Sequence, residues 1–345
     1  MSLNQAAYFV QTYDHHTMAQ VSSTYSGYRL VGQGNFDCLV FVEGQKTPQV
    51  EPHQCLIKVH YRDLVTLTGE YPDKPKPNVI PCSDGAGEVI AVGSKVTQWS
   101  VGDKVLGSFH QDWIAGPDND HPLGKNALGV SVDGTLSEYI VLPEDGLSPM
   151  PAGMSYEEAS TLPCAALTAW NAFFGLGGKS QLIPGQTVLV QGTGGLAHLK
   201  TVFANGHVSG EFHTLNYKTY PNWGDQVMNM TNGQGADHVL EVGGAATVAE
   251  SFKALHFGGT ITSIGFLAQA SDMPNVSMLA LFKAAVFRGV LIGSRSQLSD
   301  MSRLFTYAKI KPVVGQTFAF KDARLAYEAL KSQSVIGKIV ITVSK

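Results

Sequence analysis

From Pro184 onward the chain repeats one pattern, a short apolar run closed by glycine. Val188-Leu189-Val190 leads into Gly192-Thr193-Gly194-Gly195, Asp237 to Val242 into Gly243-Gly244, Thr260 to Ile264 into Gly265, and Val290 to Ile292 into Gly293. Strands covered on both faces read as near-continuous apolar runs, and glycine at their ends lets backbone approach a ligand. The spacing therefore predicts an α/β unit with a parallel sheet and binding loops along its carboxyl edge.

The first loop carries the most chemistry. Gly192-Thr193-Gly194-Gly195-Leu196-Ala197 fits G-x-G-x-x-A directly after a strand, where backbone N–H groups and the next helix's positive end can hold a pyrophosphate. A purely structural turn is the competing reading, and the three further strand–glycine edges favour a nucleotide site. The segment behind the loop is short. Leu196 to Leu215 has room for one short helix and one short strand before Asn216-Tyr217-Lys218, whereas a full unit needs a helix, a ribose-reading strand and another helix. Glu211 stands at about the ribose-reading distance but follows Ser209-Gly210, so it reads as an exposed loop glutamate and leaves NAD against NADP open.

Up to about Met150 the texture is different. Short apolar runs at Cys55–His60, Glu88–Val92, Lys104–Gly107 and Ser137–Leu142 alternate with turns such as Val101-Gly102-Asp103-Lys104, as in antiparallel strands of a barrel or sandwich. Gln111 to Gly129 reads as a long surface loop. Ser155-Tyr156-Glu157-Glu158 is a capping box, and Pro163 breaks that helix or opens a new one through Ala165, Ala169 and Trp170. A helix from Asp322 with Leu325, Ala326, Ala329 and Leu330 on one face, then a strand Lys338–Val343, close the chain.

With 24 Lys+Arg against 28 Asp+Glu in 345 residues there is no concentrated basic charge for nucleic acid, and no apolar run is long enough for a membrane helix. The polar N-terminus does not read as a signal peptide, so a cytoplasmic location is expected. Cys38, Cys55, Cys82 and Cys164 are too scattered for a zinc ribbon or a disulfide scaffold and read as reduced thiols.

Several longer stretches together resemble one family. Tyr61-Arg62-Asp63-Leu64, Gly69-Glu70-Tyr71-Pro72, Ser83-Asp84-Gly85-Ala86-Gly87-Glu88-Val89, Val101 to Val105, Leu162 to Trp170, Glu241-Val242-Gly243-Gly244 and Gly337-Lys338-Ile339-Val340 are similar to the medium-chain dehydrogenase/reductase superfamily, and within it to the zinc-independent, quinone oxidoreductase-like branch. The resemblance implies a GroES-like β-rich catalytic domain (1–154), a shortened, doubly wound Rossmann NAD(P)-binding domain (155–308) and a return segment (309–345) completing the first. It implies cofactor contacts at Thr168, Gly192, Thr193, Gly194, Gly195, Leu196, Tyr217, Val242, Gly243, Gly244, Gly265, Phe266 and Leu267, with Ser294, Arg295 and Lys338 closing the site. NADP(H) is slightly favoured over NAD(H).

Zinc-dependent relatives use two thiolates and an imidazole, which leaves the fourth place for substrate. Here the imidazole position is Ser83, Cys164 stands at the second thiolate and reads as a small buried hydrophobe, and the first falls near His60-Tyr61, so no zinc is expected. A second departure from the family is the direct junction Val59-His60-Tyr61. The reaction implied is hydride transfer from NAD(P)H to a quinone, enone or enoyl acceptor, with Tyr61 as hydrogen-bond donor or as a packing tyrosine. Alternatives are oxidation of an alcohol, or a nucleotide-binding protein impaired by the two shortenings. Trp113, Phe266, Leu267 and Phe287 suggest an apolar or aromatic small-molecule substrate, and the apolar edge candidate Phe287–Ile292 suggests a homodimer.

Overall fold

The computed structural model describes residues 21–59, 74–116, 125–176, 181–192, 210–265, 272, 274–332 and 335–343. Tyr61, Thr193, Gly194, Gly195, Leu196, Phe266 and Leu267 lie outside them.

Five strands, β3 (Gln54–Val59), β4 (Ala86–Val92), β5 (Lys104–Gly107), β6 (Tyr139–Pro143) and β7 (Leu147–Pro149), form an antiparallel sheet in the order β6-β3-β4-β5-β7. The alternating runs in the sequence fall on these strands. Their inward side chains, among them Cys55, Ile57, Val59, Val89, Val105 and Leu142, share one core with Leu128 and Leu147. The predicted surface loop is correct only in part: Gln111, Ala127, Leu128 and Gly129 are buried. Leu128 belongs to that core, and the backbone N–H of Leu128 is held by the Phe109 carbonyl at 3.0 Å.

A second core joins the two ends of the chain. The antiparallel pair β1 (Thr24–Leu30) and β2 (Leu39–Lys46) packs against the parallel pair β12 (Val314–Ala319) and β13 (Lys338–Thr342) through Tyr28, Leu30, Leu39, Tyr327, Ile339 and Ile341. The helix Ala323–Ser332 presents Ala323, Ala326, Tyr327 and Leu330 to this core, an i, i+3, i+4, i+7 stripe. Leu325 falls off that stripe and is 52% exposed, so the expected apolar face is rotated, with Tyr327 in its place.

These two cores are joined directly, with the Tyr28 amide on the Leu136 carbonyl at 2.9 Å, and make one lobe; the other is a parallel sheet of β8 (Val188–Val190), β9 (Ala236–Glu241), β10 (Leu255–Ser263) and β11 (Val286–Gly289), in the order β11-β10-β9-β8. Ser155 caps the short helix α1 (Tyr156–Ala159) with a complete capping box. Pro163 then sits in a wide π-turn, Leu162–Ala166, that runs into α2 (Leu167–Phe174). Helices α3 (Trp223–Met230), α4 (Val248–Ala254) and α5 (Val276–Lys283) flank the sheet, while α6 (Arg295–Ala308) packs against α2 and β7.

The last strand of this sheet differs from expectation. It ends at Gly289, and Val290–Ile292 is not strand: Ile292 has φ +57° and turns the chain toward the other lobe. Ile292 packs against Phe109, Ala127 and Val130, while the Val290 amide still donates to the Ser263 carbonyl at 3.1 Å. No helix among the described residues is long and apolar enough to cross a membrane.

Candidate active site between the lobes

The carboxyl edge of β8 and β9 is organised by a glutamine and a glutamate. Gln191, the residue before Gly192, donates from Nε2 to Glu241 Oε2 at 2.7 Å and to Ser251 Oγ at 2.8 Å. Its Oε1 accepts from the Val242 and Gly243 amides at 3.0 and 3.2 Å. Glu241 is fully buried, a costly place for a carboxylate unless every lone pair is answered. Five donors answer it: Gln191 Nε2, the Gly243 and Gly244 amides, Thr247 Oγ1 and Ser251 Oγ. Gly243 is needed for this packing, because a Cβ there would stand 2.2 Å from Thr247 Oγ1.

The expected contacts at Val242, Gly243 and Gly244 are thereby narrowed. Their amides are consumed by Gln191 and Glu241, which leaves the outer faces of this loop, not its N–H groups, to meet a ligand. Gly265 lies close by, since a Cβ on it would be 2.6 Å from the Val242 carbonyl. Gly192 has φ +92°, is exposed, and has nothing within 4 Å of its missing Cβ. A left-handed, uncrowded glycine directly after a parallel strand fits the close approach that a pyrophosphate requires, so the described part of the loop fits a dinucleotide.

The π-turn and the first turn of α2 carry Cys164 and Thr168 to the lobe boundary. Thr168 Oγ1 donates to the Cys164 carbonyl at 2.7 Å, one turn back. Cys164 is half-buried rather than the buried hydrophobe expected. In the wide turn Leu162 and Pro163 take the inward places, which leaves the following residues nearer the surface. Across the boundary Ser83 is 4% exposed and its hydroxyl donates to Asp84 Oδ1 at 3.4 Å. Among the described residues no three His, Cys, Asp or Glu side chains stand together as a metal-binding group, and the first ligand position near His60-Tyr61 lies outside them.

Ser294 and Arg295 open α6. Ser294 forms a capping box with Gln297, and Arg295 is stitched to three segments of the antiparallel lobe. Its amide donates to the Trp113 carbonyl at 2.9 Å, its carbonyl accepts from Ser148 Oγ at 3.3 Å, and Nη1 donates to Gln98 Oε1 at 3.0 Å. Arg295 thus stands at the junction of the lobes. Trp113 spans the same junction, with its indole N–H on the Gly116 carbonyl at 3.0 Å. Lys338 begins β13 in register with Val314, and Tyr217 is 66% exposed. Phe287, expected in the pocket, stacks on Phe252 at 5.8 Å in the core of the parallel sheet, because β11 directs it onto α4.

The sequence reading did not single out Gln191 or Asn171. A clue to the first pair was available at Glu241: an acid ending an apolar strand is almost never buried without dedicated partners.

Comparison with known proteins agrees with this layout. Residues 51–152 match the alcohol dehydrogenase GroES-like domain, and residues 210–341 match the zinc-binding dehydrogenase family. A zinc-type alcohol dehydrogenase-like protein of Schizosaccharomyces pombe is 37% identical over 334 residues, 89% of this chain and 96% of that protein. The chain belongs to the medium-chain dehydrogenase/reductase superfamily. It is therefore an NAD(P)-dependent oxidoreductase by class, built from a GroES-like domain and a Rossmann-like domain. A quinone oxidoreductase-like protein 2 homologue of Nematostella vectensis is 26% identical over 328 residues, 86% of this chain and 82% of that one. A candidate alcohol dehydrogenase of Sinorhizobium meliloti superposes with a TM-score of 0.82 at 29% identity, covering 94% of this chain and 100% of that one.

Proposed function

We propose that this medium-chain dehydrogenase/reductase is a zinc-independent reductase that passes hydride from NAD(P)H to a conjugated carbonyl, a quinone or an enoyl-type small molecule. The observation that carries the reading is Ser83. Its buried hydroxyl donates to the Asp84 carboxylate, and by the family resemblance it stands where an imidazole ligand would be needed, for which a serine hydroxyl is a poor substitute. Without a Lewis acid, an acceptor that spreads its developing charge over a conjugated system is the chemistry best served by positioning alone.

When bound, the nicotinamide supplies the hydride. The chain's part is to hold the pyrophosphate at Gly192 to Leu196, to shape the cleft with Gly265 to Leu267 and Thr168, and to offer Tyr61 as donor to the developing oxyanion. NADP(H) is slightly favoured over NAD(H), and the proposed setting is cytoplasmic. The test is titration of the zinc-analysed protein with NADPH and NADH, followed by quinone and enone acceptors. Tight binding of one nucleotide, turnover and substoichiometric zinc support the reading.

One zinc per chain would favour the alcohol-oxidising alternative, which the half-buried thiol of Cys164 and the name of the Schizosaccharomyces pombe relative recommend. Saturable nucleotide binding with no transfer to any acceptor would mark a binding protein impaired by its two shortenings.

We further propose a homodimer across β11. Its outer edge has no partner strand among the described residues, and none of the eight residues of neighbouring α5 is buried, with Leu281 75% and Phe282 71% exposed. A second copy can both pair the edge and cover the apolar helix face.

A further inference from the structure

Ile292 is a β-branched residue held at φ +57°, a strained conformation for such a side chain. Strain of this kind persists only where the surroundings over-determine it. Here the surroundings converge on Asn171 of α2. Asn171 Nδ2 donates to the Ile292 carbonyl at 2.8 Å. Its Oδ1 accepts from Gln297 Nε2 at 3.2 Å, and Gln297 Oε1 in turn accepts the Ser294 amide at 2.9 Å. The ring Asn171–Ile292–Gly293–Ser294–Gln297 is therefore closed by hydrogen bonds. Within it a Cβ on Gly293 would stand 2.8 Å from Gln297 Oε1 and 2.9 Å from Leu167 Cγ.

A second clamp comes from the strand. Arg288 on β11 donates from Nη1 to the Asn171 carbonyl at 3.0 Å and from Nη2 to Asn171 Oδ1 at 2.9 Å. Asn171 is itself 4% exposed, so its amide is fixed by partners on both sides. The turn it controls leaves the carboxyl end of a parallel strand at the junction of the lobes, where ligands of such sheets bind. Ile292 rests there against Phe109 and Val130 of the other lobe, while Leu291 beside it is 54% exposed.

We propose that Asn171 is a positioning residue for hydride transfer, acting through the left-handed turn at Ile292 to set the lip of the cleft formed by Leu291–Ser294. This rests on the reductase reading above. If the turn is strained and Asn171 holds it, loss of Asn171 lets the lip relax, and glycine at 292, which adopts φ +57° without cost, should make Asn171 largely dispensable.

The test is a double-mutant cycle in the full chain with Asn171→Ala and Ile292→Gly, read by kcat and KM for NADPH and NADH with a quinone acceptor and by backbone hydrogen exchange at residues 290–294. The expected result is a loss of at least about tenfold in kcat/KM and faster exchange in N171A, shrinking to about threefold or less when N171A is placed on I292G. Additive losses in both readouts, or an N171A protein with unchanged kcat/KM, overturn the proposal. If the unaltered protein transfers no hydride, the reductase reading fails and the catalytic role falls with it. The exchange cycle then still decides whether Asn171 holds the turn.

Discussion

Gln191 and Glu241 meet at 2.7 Å beneath the carboxyl edge of the parallel sheet, and through that contact two loops that are 50 residues apart in sequence become one rigid rim. The glutamine is fully engaged, with its amide nitrogen on Glu241 and Ser251 and its oxygen under two backbone amides.

Gln191→Ala removes a donor from a buried carboxylate and the acceptor from Val242 and Gly243. Hydrogen bonds to charged groups are worth about 1.5–3 kcal/mol each, and a buried group left unanswered costs a similar amount. Urea unfolding should show a loss of roughly 2–4 kcal/mol, and the Kd for the preferred nucleotide should rise at least tenfold. An unchanged urea midpoint would mean that the rim is held by the backbone alone.

Acid should weaken the fold partly through Glu144. The Thr97 amide, with smaller help from His53 and the Gln98 amide, holds this buried carboxyl below the usual carboxylate range against the opposing effect of burial. Its folded pKa lies below its unfolded one, so the stabilisation is complete above an ordinary carboxylate pKa of about 4.3 and is lost as pH falls through the folded value. The gap in Tm between the unaltered protein and Glu144→Gln should therefore narrow as pH is lowered from about 6 toward 3. A gap independent of pH would refute this. His238 adds acid sensitivity higher on the scale: burial lowers its pKa, with Asp237 opposing, so its contribution is complete above about 6.5 and fades as pH falls.

Cys82 sits at φ +81° while 1% exposed, and its backbone is crowded by Gly134, whose missing Cβ would stand 2.0 Å from the Cys82 carbonyl. A β-branched side chain tolerates this conformation poorly. Cys82→Val should cost more than about 2 kcal/mol, whereas Cys82→Gly, which trades the thiol contact with Tyr327 for relief of strain, should stay within about 1 kcal/mol. Thermal unfolding of the two variants gives the comparison, and equal losses would show that the side chain, not the backbone, decides this position.

Charge on the exposed face of α5 should separate the proposed dimer. Phe282→Asp and Leu281→Asp lie where no buried neighbour is disturbed, so each should shift sedimentation equilibrium from two chains to one with Tm little changed in the monomer. A monomeric unaltered protein removes the dimer outright.

Strands β3 to β6 and β8 to β10 could be read from the chain because glycine and proline punctuate them, and because burial on one face or two writes alternation or continuous apolarity, whereas β1, β2 and β7 were not read. The reading misplaced β11 for a physical reason. Ile292 is covered by Phe109 of the other lobe, and a sequence window does not reveal which neighbour supplies the cover. Leu325 was assigned inward because leucine is apolar, yet the helical stripe runs through Tyr327. At the candidate site the glycine at 192 was legible, whereas Asn171 was not, since its partners Arg288, Ile292 and Gln297 lie more than a hundred residues downstream.

The core shared by the two chain ends bears on how the molecule is made. Tyr28 Oη donates to the Lys321 carbonyl 293 residues later. At ribosomal rates of roughly 5–20 residues per second, the partner of β1 emerges some 15–60 s after β1 itself. During that interval Tyr28, Leu30 and Leu39 have only the early part of their core, Val79, Ile80, Cys82 and Leu136, while the parallel sheet can already assemble. The nucleotide-binding half should therefore mature first on the ribosome, and the opening strands should be the segment that chaperones shelter longest.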